Sequence, residues 1–75
     1  MKIEAKSDSE DIRVYIDNVL HLRIPRDKNV KIQSWIEGHS KSYTIEILVK
    51  NDQIKIVYDS KKKWEKVLKL LDEHI

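Results

Sequence analysis

Residues 53–75 read QIKIVYDSKKKWEKVLKLLDEHI, and the hydrophobic period of this stretch changes at Ser60. Before it, apolar and polar residues alternate with period two, as they do through most of Ile12 to Tyr58. Tyr43, Ile45, Ile47 and Val49, for example, alternate with Thr44, Glu46 and Lys50. After it, Trp64, Val67, Leu68, Leu71 and Ile75 recur at the spacing that lays side chains along one stripe of a helix. The predicted fold is α+β: a five-stranded antiparallel β-meander capped by one C-terminal α-helix, in two layers.

Working outward from that boundary, the helix begins with Asp59 or Ser60 as N-cap and runs to His74. Strands are expected at 11–17, 19–24, 30–37, 42–50 and 53–59. The second is stopped by Pro25, which has no N–H for a ladder. Arg26 to Asn29 make the next turn, and the short links favour antiparallel neighbours. Asn51 and Asp52 as a two-residue turn pair Val49 with Ile54, Ile47 with Ile56 and Ile45 with Tyr58. A loop from Gly38 to Lys41 then pairs Ile36 with Tyr43 and Ile32 with Ile47 on the same face. The first hairpin needs a three-residue loop at Asp17, Asn18 and Val19, or a bulge, because a simple two-residue turn would bury the wrong face. Arg13 then faces Arg23, and either a nearby acid such as Asp11 or Asp27 relieves them or they await an anion. Residues 1–10 are a partly ordered N-terminal segment or a short edge strand, and residues 11–75 form a single small α+β domain.

The chain has 75 residues, 40% apolar and 37% charged, enough patterned Ile, Val and Leu to fold and few enough residues that association is a natural source of extra stability. It contains no Cys, which removes disulfides and thiolate chemistry and favours a reducing cytoplasm. No apolar run suits a signal peptide or a membrane span, so no membrane is expected among its partners. The net charge is +2, but residues 50–69 hold seven Lys against Asp52, Asp59 and Glu65. Solubility is the ordinary reading of that excess; attraction of an anionic partner is the functional one.

Catalytic chemistry finds little support. His39 next to Ser40 is the only Ser and His adjacency, with no third residue to orient the imidazole. His21, His39 and His74 have no metal-ligand spacing, and Gly38, the sole glycine, makes no phosphate loop. No cofactor is expected, and the chain is read as a non-enzyme.

Two surfaces stand out. Lys61, Lys62 and Lys63 crowd the positive end of the helix dipole, while Asp72 and Glu73 lie near its negative end. That arrangement disfavours the isolated helix and suits a phosphate at the free N–H groups. Trp35, Leu48 and Val57 project to the outer face of the sheet, where Leu48 and Val57 are expected to be diagonal neighbours, and Tyr15 joins them in an apolar patch that wants a cover. The cover is the N-terminal segment, a second copy, or a partner contacted by aromatic stacking and by Arg13, Arg23, Lys31 and Lys55.

In architecture, Val30 to Ile75, with Trp35 on its first strand and Lys61 to Lys63 at its helix start, resembles the three-stranded sheet plus helix modules with which phage integrases read DNA. That resemblance implies a nucleic-acid partner. The leading expectation from the residues is a small non-enzymatic interaction module, a cytoplasmic homodimer that self-associates through a sheet edge or through the Trp35, Leu48, Val57 and Tyr15 surface. The alternative is a nucleic-acid-binding module that uses Arg13, Arg23, Lys61, Lys62 and Lys63.

Overall fold

The turn at Asp17 and Asn18 organises the N-terminal half. In the computed structural model, which describes residues 1–26, 29–39 and 41–75, these residues have φ of 49° and 67°. Two consecutive left-handed residues make the tight hairpin turn whose twist matches that of the strands, and Asp and Asn enter that region more easily than other side chains. Strands β2 (Asp11–Ile16) and β3 (Val19–Pro25) therefore join through two residues, with Ile16 opposite Val19 and Tyr15 opposite Leu20. A bulge between Val14 and Tyr15 then passes over His21, so that Val14 meets Leu22 and Ile12 meets Ile24. Of the two expected solutions, a three-residue loop or a bulge, the bulge is the one found: it follows a two-residue turn and returns the apolar residues to one face.

The N-terminal segment supplies β1 (Ile3–Ser7), which pairs with the other side of β2, Ile3 opposite Ile16 and Ala5 opposite Val14. Asp17 fixes the start of that strand: Lys2 N donates to Asp17 Oδ1 at 2.9 Å and Asp17 N donates to the Lys2 carbonyl at 2.8 Å. The connection back to β2 is held by Asp8, whose Oδ1 accepts from Glu10 N and Asp11 N at 2.8 and 3.0 Å. These two amides, chiefly that of Asp11, hold the Asp8 carboxyl below the usual carboxylate range.

The remaining strands are β4 (Lys31–Glu37), β5 (Ser42–Val49) and β6 (Asp52–Tyr58), and they form a sheet of their own. The single five-stranded, two-layer meander is therefore not the fold. The chain has six strands in two antiparallel sheets, β1-β2-β3 and β4-β5-β6, followed by helix α1 (Lys61–His74). The break falls after Pro25, the last residue of β3. Arg26 N does not open a hairpin towards β4 but donates to the Glu10 carbonyl at 2.9 Å, continuing the β2–β3 pairing by one more residue. Of the expected Arg26–Asn29 turn, Asp27 and Lys28 lie outside the described residues, as does Ser40 beside His39.

The chain forms two compact units. Residues 1–26 and 66–75 make the first, which holds the sheet β1-β2-β3 and most of the helix; residues 27–65 make the second, which holds the other sheet and the start of the helix. In the first unit Ile12, Val14, Leu22, Ile24, Val67 and Leu71 are buried. Ser7 Oγ and His74 Nδ1 lie 2.8 Å apart, and Arg26 donates to the His74 carbonyl at 2.9 Å, so both edge strands of this sheet are tied to the last helical turn. Ile75, expected on the buried stripe, lies past the helix end and is exposed.

In the second unit Ile45, Ile47 and Tyr58 are buried. Between β4 and β5 the register is the expected one, Ile36 opposite Tyr43 and Ile32 opposite Ile47, with the positive φ of the connection on Lys41. Between β5 and β6 the turn is Lys50 and Asn51, so the register is displaced by two residues: Ile47 meets Ile54, Ile45 meets Ile56 and Tyr43 meets Tyr58. A two-residue displacement keeps every side chain on its face. It also sets Glu46 opposite Lys55 and one tyrosine opposite the other, pairs that favour this register over the expected one. Ser60 is the N-cap, its Oγ accepting from Lys63 N at 3.3 Å and its carbonyl from Trp64 N at 3.1 Å.

Candidate functional site

On the first sheet the outward residues of β1, β2 and β3 line up as rungs. Lys6 faces Arg13 and Arg13 faces Arg23, three cations in one row. Two like charges directly opposite repel, and Asp11, itself buried, resolves the conflict. Its Oδ2 accepts from Arg23 Nε at 2.5 Å, its Oδ1 lies 3.2 Å from Arg13 Nε, and Arg13 reaches on to Asp8 Oδ2 at 3.3 Å. The Asp11 hydrogen bond raises the Arg23 pKa, so the guanidinium is held in its charged form. Of the two fates foreseen for Arg13 and Arg23, an acidic neighbour is the one built into this unit. Tyr15 occupies the next rung between Glu4 and Leu20, with Lys6 Nζ 5.6 Å from its ring centre. Lys2, Glu4, Lys6, Tyr15 and Asn18 border an open polar depression there.

The other residues expected to form an apolar patch belong to the second unit. Trp35, Thr44 and Val57 form one rung across β4, β5 and β6. Leu48 pairs with Lys31 and Gln53, and the Gln33, Glu46, Lys55 rung lies between it and Val57. Leu48 and Val57 are thus not diagonal neighbours, because the displaced β5–β6 register moves them apart. Trp35 is occupied by its own strand and sheet: its Nε1 donates to Glu37 Oε1 at 3.3 Å and Lys55 Nζ sits 5.6 Å from its ring centre. Gln53 donates to Glu46 along the same face. What remains of the patch is Val57, 58% exposed, beside the half-buried Trp35, with a Thr44 hydroxyl that is buried and unpartnered between them.

Lys61, Lys62 and Lys63 stand at the start of the helix in this same unit, with no acidic residue in that first turn. Lys61 and Glu65 approach to 3.8 Å one turn apart. The lysines therefore share a unit with Trp35 and Val57, whereas Arg13, Arg23 and Tyr15 belong to the other.

Sequence reasoning left one feature unspecified, namely which strand edge is open. β3 carries a bulge and ends in Pro25, and β1 has five residues with Lys6 among them, all of which discourage a new strand from adding. β4 has neither a bulge nor Pro, and its one lysine, Lys31, stands at its first residue. Its seven residues pair with β5 in unbroken register. On the face where Ile54, Ile56 and Tyr58 of β6 are half or fully buried, Ser34 and Ile36 of β4 are exposed, Ile36 by 51%. The signal available in the sequence was the apolar residues Ile32, Trp35 and Ile36 on a strand with neither Pro nor Gly; it required the sheet order to become an edge.

Among the described residues, no group of three or more potential metal ligands comes together, and no helix is long and apolar enough to cross a membrane. No protein-family model, no curated protein and no solved structure matches this chain.

Proposed function

We propose that this chain is a small non-enzymatic interaction module that works by self-association through an open sheet edge. The observation that carries this reading is β4, a seven-residue edge strand without Pro or bulge and with Ile36 uncovered on its apolar face. An added strand would engage the free backbone groups of that edge and cover Ile36, a gain that needs no catalytic or cofactor chemistry. The absence of Cys suits a reducing compartment such as the cytoplasm.

A second reading, nucleic-acid binding, draws on the row Lys6, Arg13 and Arg23 beside Tyr15, and on Lys61, Lys62 and Lys63. It ranks lower because Asp8 and Asp11 already engage both guanidinium groups. Light-scattering mass on a sizing column, run over a concentration series at low and high salt with and without a mixed-sequence DNA duplex, separates the two. Self-association is expected to give a dimer mass that rises with concentration, persists in high salt and ignores the duplex. A monomer at every concentration that co-elutes with duplex only at low salt would replace the first reading by the second, since phosphate contacts weaken steeply with salt.

A further inference from the structure

Resting on the open-edge reading, we propose that the occupant of the β4 edge is the β4 of a second copy, paired antiparallel about a two-fold axis at Ser34. In antiparallel self-pairing, residues opposite each other have a constant sum of positions, and a one-residue slip would set the apolar face of one copy against the outer face of the other. Centring the axis on Ser34 uses the whole strand from Lys31 to Glu37. It places Ile32 opposite Ile36 on the apolar face, so that the exposed Ile36 of each copy is covered by the Ile32 of the other. On the outer face it places Lys31 opposite Glu37 at both ends of the pair, and Gln33 opposite Trp35.

The neighbouring two-fold registers do worse. Centred on Gln33, Lys31 would face Trp35, Ile32 would face Ser34, and Glu37 would have no strand partner. Centred on Trp35, Glu37 would face Gln33 and Ile36 would face Ser34. Only the Ser34 register matches both charges and both isoleucines. The result is a continuous sheet in which the order β4-β5-β6 is repeated through β4 to give six strands. An interface made of one strand pair is at the small end of the size range, so monomer and dimer should exchange with concentration. The two ion pairs lie in solvent and select the register more than they hold it.

The test is the dimer dissociation constant, from sedimentation equilibrium, of the full chain and of Lys31→Glu, Glu37→Lys and the double exchange Lys31→Glu/Glu37→Lys. Each single change puts like charges opposite at both ends and should weaken the dimer roughly tenfold, while the double change restores it. A wild-type dimer that both single variants leave unaltered, or a double variant no tighter than the singles, overturns the register and leaves the open-edge reading standing; a wild-type chain that is monomeric throughout overturns both. Should a charge variant fail to fold, the absence of native Cys allows a second measurement. Ser34→Cys under mild oxidation should form disulfide-linked dimers several-fold faster than Gln53→Cys on the opposite edge, and equal rates overturn the proposal.

Discussion

Trp64 Nε1 donates to the Thr44 carbonyl at 3.0 Å, and its ring meets that of Tyr43 at a centroid distance of 5.5 Å. One side chain from the first helical turn thus gives the central strand of the second sheet both a hydrogen bond and an aromatic contact. The two contributions are separable. Trp64→Phe keeps a ring and loses the donor, with an expected cost of about 1 kcal/mol; Trp64→Ala removes both and should cost about 3 to 5 kcal/mol. In a domain of this size the second figure approaches the whole net stability, so urea titration should find Trp64→Phe folded with an earlier midpoint and Trp64→Ala largely unfolded before urea is added. A wild-type midpoint for Trp64→Ala would show that the helix start does not depend on this contact.

How far the residues alone disclose this architecture depends on the range of the interactions concerned. The change of period at Ser60, the helix and its cap, and the Ile36–Tyr43 register are local, and each could be read from spacing. The division into two sheets could not. It turns on one amide, Arg26 N, bonding to Glu10 rather than opening a hairpin, and on β1 occupying the second edge of β2. Hairpin counting assigns each strand its sequence neighbours, so it reaches β1 as the short edge strand expected within residues 1–10 but is blind to the Arg26 bond. The diagonal contact of Leu48 and Val57 failed for a related reason: both residues were assigned to the right face, but their contact depended on a turn placed one residue too late, which displaces the register by two.

Arg13 and Arg23 tolerate their opposed positions because Asp11 touches both. Arg23 is largely solvated, its side chain 64% exposed, so each ion pair by itself is worth little. Removing the shared acid differs from removing one partner, because it leaves two cations facing each other across the ladder. Asp11→Ala should therefore destabilise by about 1 to 2 kcal/mol, whereas Asp11→Ala combined with Arg23→Thr should recover part of the loss by lifting the repulsion. A double-mutant cycle by thermal unfolding gives the coupling. Strict additivity of the two changes would mean that Asp11 is not what reconciles the arginines.

Tyr58 closes β6 and is 3% exposed, and burial pushes its hydroxyl pKa up from 10.0 to about 12. The folded chain therefore keeps this proton more firmly than the unfolded chain does. Its contribution to stability is fully present below pH 10 and is lost as the pH rises towards 12, a difference of roughly 2 to 3 kcal/mol. Two observations should follow together. Absorbance of the phenolate should include a step near pH 12 that disappears in Tyr58→Phe, and stability measured by urea midpoint should fall between pH 10 and 12 in the wild type and fall less in that variant. A wild-type chain whose midpoint is flat across this interval would mean that the Tyr58 hydroxyl loses its proton as readily in the folded chain as in the unfolded one, and that burial does not raise its pKa.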